Sequence, residues 1–124
     1  MRKYRVFTIL FLLAAVGIFY FSSMPTIMKK LPFPMFDKIL HIIAFIIFAF
    51  LASGALWENR ITKHIVFWAI VLSAFYGATD EIHQLYVQGR QCSIYDWIAD
   101  IVGAIIGVLI ARNLPFFRRL GSSD

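Results

Sequence analysis

The chain has 124 residues, 60% of them hydrophobic and only 15% charged, with a net charge of +5. A soluble domain carries about 45–50% apolar and about 25% charged residues, so this composition excludes an ordinary soluble protein; the length suits a single domain spanning 1–124. The basic residues flank apolar runs and form no patch of their own, which excludes nucleic acid as a partner and fits membrane orientation and anionic headgroups; the lone Cys92 excludes an intramolecular disulfide.

The first apolar run, residues 6–23, follows Arg2, Lys3 and Arg5. Basic residues ahead of an apolar stretch also describe a secretory signal. The stretch is long for that role and no A-x-A site follows it, so it is read as a span. Residues 24–38 hold Pro25, Pro32 and Pro34, which disfavour helix and predict a stiff irregular loop. The second run covers 39–57, a tight turn is expected over 58–63, and the third run covers 64–81. Residues 82–96 carry Gly89 in a turn-forming context, and the fourth run covers 97–114. A helical span needs about 20 predominantly apolar residues. The bilayer core offers the backbone no water, so each run must satisfy its own hydrogen bonds as a helix. The expected fold is all-α, an integral membrane four-helix bundle.

Orientation follows from Lys and Arg. Of the 12, eight (Arg2, Lys3, Arg5, Arg60, Lys63, Arg112, Arg118 and Arg119) fall on one side and four (Lys29, Lys30, Lys38 and Arg90) on the other. Both termini are therefore expected in the cytoplasm, in a multi-pass protein of the bacterial cytoplasmic membrane.

Nearly all the side chains capable of chemistry then lie at the outer end. Asp37, Lys38 and His41 open the second run. Asp80, Glu81, His83, Gln84, Arg90, Asp96 and Asp100 surround the junction of the third and fourth. Residues four apart share a helix face, and Asp37/His41, Gly77/Glu81 and Asp96/Asp100 are so spaced, with Ser22 and Ser23 ending the first run at that level. Ionisable groups within spans usually face the bundle and find partners. For Asp100, inside the fourth run, the plausible partners are Arg90 and His41, with Lys38 behind them; simple hydration near the interface is the plainer reading. Asp37, His41, Glu81, His83 and Asp96 are suitable metal donors, yet they make no specific ligand motif, and neither metal nor cofactor is expected. Ser22, Ser23 and Ser93 lack a G-x-S-x-G context. Arg90 could clamp a phosphate or carboxylate, or neutralise a neighbouring acid.

Ala99, Gly103, Gly107 and Ala111 recur every four residues and include G-x-x-x-G, a stripe that lets another helix approach closely. Packing within the chain is favoured; a homodimer through Gly103 and Gly107 is the alternative. Ser73 and Gly77 form a lesser stripe that would bring Glu81 toward Asp96 and Asp100. Trp57, Trp68, Tyr86, Tyr95 and Trp97 read as interface anchors.

Taken in order, Phe21-Ser22-Ser23-Met24-Pro25, Asp37-Lys38-Ile39-Leu40-His41, the stretch Tyr76-Gly77-Ala78-Thr79-Asp80-Glu81-Ile82-His83-Gln84, Gly89-Arg90-Gln91-Cys92-Ser93-Ile94-Tyr95-Asp96, and Asp100-Ile101-Val102-Gly103 through Gly107 form a specific set. Across roughly residues 7–111 the chain resembles the VanZ-like family of small bacterial membrane proteins. Two departures stand out: Gln88 where the family often has Pro, and Asp100 where it often has Asn. The resemblance implies a four-helix membrane protein, and the founding member is associated with low-level resistance to teicoplanin, a glycopeptide with a lipid tail.

Two functions are compatible with these features. In the first, a non-enzymatic envelope protein binds an anionic headgroup of a membrane lipid or lipid-linked precursor. Arg90 meets the anion, Lys38 assists, and Asp37, His41, Glu81, Gln84, Asp96 and Asp100 order the site. In the second, a membrane hydrolase or transferase acts on a lipid-linked substrate, with Glu81 or His41 as general base and Arg90 stabilising developing charge. A small transporter, or a subunit of a larger complex, ranks behind both.

Overall fold

A computed structural model describes residues 5–23, 36–60, 62–87 and 93–115. The described residues form four α-helices: α1 (Val6–Ser22), α2 (Phe36–Asn59), α3 (Ile65–Gln84) and α4 (Ile94–Arg112). The proline-containing segment 24–35 and the Gly89 turn lie outside the described residues. Three helices, α2, α3 and α4, are long and apolar enough to cross a membrane. The fourth, α1, has 17 residues, the short end of the spanning range, and rises about 26 Å at 1.5 Å per residue.

The helices extend beyond the apolar runs at one end. Compared with the runs, α2 and α4 each begin three residues earlier and α3 ends three residues later. Asp37 and Asp96 therefore fall in first helical turns, where the positive end of the helix dipole favours a carboxylate. At the other end α2 continues to Asn59. Arg60 then takes a left-handed conformation with φ 50°, which turns the chain toward α3.

Successive helices run antiparallel, so the C-terminal ends of α1 and α3 meet the N-terminal ends of α2 and α4. The closest pair is α2 and α4. Gly103 and Gly107 face the α2 backbone, and a Cβ on either would stand 2.4 Å from the Ile42 carbonyl oxygen or 2.3 Å from that of Ile46. Only a residue without a side chain permits that approach. Ala99, Gly103, Gly107 and Ala111 are all buried. The stripe thus faces α2 of the same chain, the packing favoured from the sequence.

The core is built from small residues and a few rings. Ala49, Ala52, Ala69 and Ala104 are fully enclosed, with Leu56 and Val108 beside them. Phe48 stacks on Tyr76 and packs against Phe11 and Phe45. Outward faces remain apolar on every helix, for example Val16, Ile47, Phe75 and Ile105, as lipid-facing surfaces require. Of the five aromatic residues read as interface anchors, one is buried in the bundle and one is half-buried. Trp57 is buried edge-on against Phe7. Trp97 is half-buried and donates its indole N–H to the Ala74 carbonyl at 2.9 Å. Trp68, Tyr86 and Tyr95 are exposed.

One buried carboxylate unites the opposite end. Glu58, near the end of α2, accepts hydrogen bonds from the Phe7 N–H at 2.9 Å and the Thr8 N–H at 2.8 Å, and from the Thr8 hydroxyl. Arg5, at the N-cap of α1, makes no side-chain cap hydrogen bond. Glu58 supplies that cap from another helix, satisfying N–H groups that every helix start leaves unpaired.

Candidate functional site

The helix ends that meet at the opposite face carry the polar residues. His41 stands in the centre, on the face of α2 that meets α4. Its Nδ1 lies 2.7 Å from Asp100 Oδ1, the imidazole N–H donating to the carboxylate. Asp100 is wholly buried and His41 is 9% exposed, so this bond joins the two helices one turn from the Gly103–Ile42 contact. The other imidazole nitrogen, Nε2, faces Asp37 Oδ1 at 3.8 Å and Asp96 Oδ2 at 3.9 Å. Both separations are too long for hydrogen bonds.

Lys38 Nζ lies 2.5 Å from Asp96 Oδ1 and 3.9 Å from Asp37 Oδ2. Its contact with Asp96 is a close ion pair between α2 and α4. Asp96 is buried, whereas Asp37 and Lys38 retain 24% and 28% side-chain exposure. The site therefore opens on the Asp37–Lys38 side.

Glu81 reaches the cluster from α3. Its Oε2 accepts the Ser93 backbone N–H at 3.1 Å, tying the end of α3 to the start of α4. Its Oε1 is buried and has no hydrogen-bond partner among the described residues. Gly77 provides the space for this arrangement, since a Cβ there would stand 2.9 Å from Asp100 Oδ2. That oxygen, too, is buried without a hydrogen-bond partner among the described residues. The expected approach of α3 to α4 at Gly77 is thus realised around Asp100.

The remaining polar residues at this end do other work. Gln84 donates to Ser22 Oγ at 3.2 Å, and His83 Nε2 lies 2.9 Å from Ser23 Oγ while its ring stacks on Phe19. Together they bind the end of α1 to the end of α3. Asp80 is buried on α3. Of the two partners expected for Asp100, the structure brings His41 to it; Arg90 and Cys92 lie outside the described residues. Glu58, which its place beside a presumed turn gave no reason to single out, belongs to the other end of the bundle.

Donor atoms of Asp37, His41 and Asp96 lie within 4.8 Å of one another, and so do those of His41, Glu81 and Asp100. Either set could hold a metal ion by spacing alone. No metal motif was expected from the sequence, because the five contributors are spread over three helices. The described part of the cluster is strongly acidic: four carboxylates surround one lysine and one imidazole. Burying ions in this way costs several kcal/mol each unless they are paired.

The model of the VanZ/LLP1 family matches residues 4–118. The chain belongs to the VanZ/LLP1 family. The helix pattern is that of a VanZ-like membrane protein, with three helices of spanning length and composition. No curated protein and no solved structure matches the chain. The ordered set of residues that suggested the family lies within the matched region, including Asp37, His41, Glu81, Asp96 and Asp100.

Proposed function

We propose that this VanZ-family protein is an envelope protein of the bacterial cytoplasmic membrane that engages an anionic headgroup, of a lipid or a lipid-linked precursor, at its polar end. On this reading both termini are cytoplasmic and the polar end faces outward, as the Lys and Arg distribution favours. Engagement of the headgroup would lower the access of lipid-tailed glycopeptides to their target. The observation that carries the reading is the buried His41–Asp100 pair together with Glu81 and Asp96 at one end of an otherwise apolar bundle. A bundle needing only to stand in the membrane gains nothing from four carboxylates there, and intramembrane ionisable groups are costly enough to point to function.

Within this reading Arg90, in the segment joining α3 to α4, is the anion contact. Lys38 is committed to Asp96, so it balances the network more than it meets a ligand. Asp37, His41, Glu81, Gln84, Asp96 and Asp100 hold the framework. One observation favours the alternative of a membrane hydrolase or transferase: an imidazole oriented by a buried carboxylate is how a general base is often held. Against it, His41 Nε2 faces two carboxylates, and Ser22 and Ser23 are bonded to α3.

The test is antibiotic susceptibility of cells expressing wild type, Arg90→Ala or Glu81→Gln at matched membrane levels. Teicoplanin and vancomycin, which differ in the lipid tail, are compared side by side. Protection against teicoplanin alone, lost in both variants, is expected. A wild type that protects against neither would refute the reading. An altered lipid or wall-precursor profile in mass spectra would move the protein to the enzymatic alternative.

A further inference from the structure

The acid cluster poses a problem for anion binding. Asp37, Glu81, Asp96 and Asp100 contribute four carboxylates, and Lys38 is the one permanent cation facing them among the described residues. A headgroup phosphate brought to that surface would add negative charge to negative charge.

Three further features point to what completes it. Glu81 is 4% exposed, and its Oε1 has no hydrogen-bond partner among the described residues, although donor atoms of Glu81, His41 and Asp100 lie within 4.8 Å of one another. Asp37 Oδ1, the atom that faces His41 Nε2, is also buried and without a hydrogen-bond partner among the described residues. A buried carboxylate oxygen left this way costs more than the bond it forgoes. Third, the imidazole is held as metal-ligating histidines are held. One ring nitrogen bonds a buried carboxylate, which fixes the tautomer and directs the other nitrogen's lone pair outward. In this chain Nδ1 is held by Asp100 at 2.7 Å, and Nε2 looks at Asp37 Oδ1 and Asp96 Oδ2 from 3.8 and 3.9 Å. Two donors each about 2.1 Å from a common tetrahedral ion stand about 3.4 Å apart, so an inward shift of about half an ångström by each carboxylate would close the set on an ion.

We infer that the cluster at the N-terminal ends of α2 and α4 is a divalent-cation site, ligated by His41 Nε2, Asp37 and Asp96, oriented by Asp100 through His41 Nδ1, and backed by Glu81. An imidazole with several carboxylates suits Mn²⁺ or Zn²⁺ better than Ca²⁺ or Mg²⁺. A doubly charged ion offsets most of the excess charge of the four carboxylates beside Lys38. It also gives an anionic headgroup something to bind, because a divalent ion with open positions accepts phosphate oxygens. This deepens the reading of the same end as a headgroup site, but the cation site stands on its own geometry.

The experiment uses full-length protein purified in detergent, stripped with chelator, and then titrated with Mn²⁺ or Zn²⁺. Bound metal is counted by elemental analysis and Mn²⁺ is followed by electron paramagnetic resonance. About one equivalent per chain is expected. Asp37→Asn is the first variant, because that side chain is partly exposed and the substitution should be tolerated; affinity should fall at least tenfold. Asp100→Asn should weaken binding about 10- to 100-fold, as loss of an outer-shell partner does, with the helical signal unchanged. Glu58→Gln, at the other end of the bundle, should leave the stoichiometry at one. Folded wild type that retains neither metal overturns the inference, and so do Asp37→Asn and Asp100→Asn proteins that bind as wild type does. In either case protons must neutralise the cluster. Metal retention in cells that gain no teicoplanin protection would keep the cation site and refute the proposed function; protection without metal binding would do the reverse.

Discussion

Gly103→Ala gives the sharpest test of how the bundle holds its site. A methyl group at this position would stand 2.4 Å from the Ile42 carbonyl oxygen, where ordinary contact begins near 3.4 Å. The opposing atom is backbone and cannot rotate away. Relief therefore requires α2 and α4 to separate by roughly 1 Å at that level. Overpacking of this kind costs about 1–3 kcal/mol, and about 2 kcal/mol changes the ratio of folded to unfolded protein about 30-fold. The same movement reaches the site. Ile42 follows His41 in sequence and Gly103 lies one turn past Asp100, so the 2.7 Å imidazole–carboxylate bond would stretch toward its breaking distance. Equilibrium unfolding in mixed micelles, titrated with SDS, measures the first effect, and the imidazole nitrogen shifts of His41 by NMR report the second. Gly107→Ala should cost a similar amount, because the shortfall against Ile46 is the same within 0.1 Å. Gly17 provides the matched control: nothing lies within 4 Å of a Cβ there, so Gly17→Ala should cost nothing. If Gly103→Ala unfolds like wild type, or Gly17→Ala is equally damaging, α2 and α4 do not meet at the glycines and the site is not built as described.

His41→Leu leaves Asp100 buried without its partner and should cost about 3–5 kcal/mol; Asp100→Asn keeps an acceptor for the imidazole N–H and should cost about 1 kcal/mol. Equal losses from the two variants in the same unfolding titration would disprove that pairing. Glu58→Gln weakens the cap on Phe7 and Thr8, and the amides of residues 7–9 should then exchange with solvent faster while those at the His41 end do not; uniform exchange would show that Glu58 does not anchor α1. Cys92 should react with a membrane-impermeant thiol reagent on intact cells, and reaction only after permeabilisation would reverse the orientation.

The number and approximate place of the helices are legible in the sequence because a bilayer leaves little choice. An apolar run of about 20 residues must hydrogen-bond itself, and charge confined to run ends marks where it leaves the lipid. The four-residue spacings likewise show that Asp37 and His41, and Asp96 and Asp100, share helix faces. Hydropathy loses the helices where they become polar. By hydropathy the first turns of α2 and α4 look like loop because Asp37, Lys38 and Asp96 end the apolar signal, although helix dipoles favour the two acids there.

Which face meets which neighbour is a tertiary property. The chain carries several possible partners for Asp100, and His41 becomes the one because Gly103 and Gly107 admit the α2 backbone at van der Waals limits, bringing residues 59 positions apart to 2.7 Å. A stripe of small residues advertises close packing but not with what, so the same pattern favours packing within the chain and still allows a dimer. Glu58 is the plainest case. Beside a turn it looks like any solvated acid, and nothing near it in sequence says that the amides it satisfies belong to Phe7 and Thr8. The bilayer's demand on each segment is local, so the sequence determines it; the choice of partner depends on helix separation and rotation, which only the packed bundle decides.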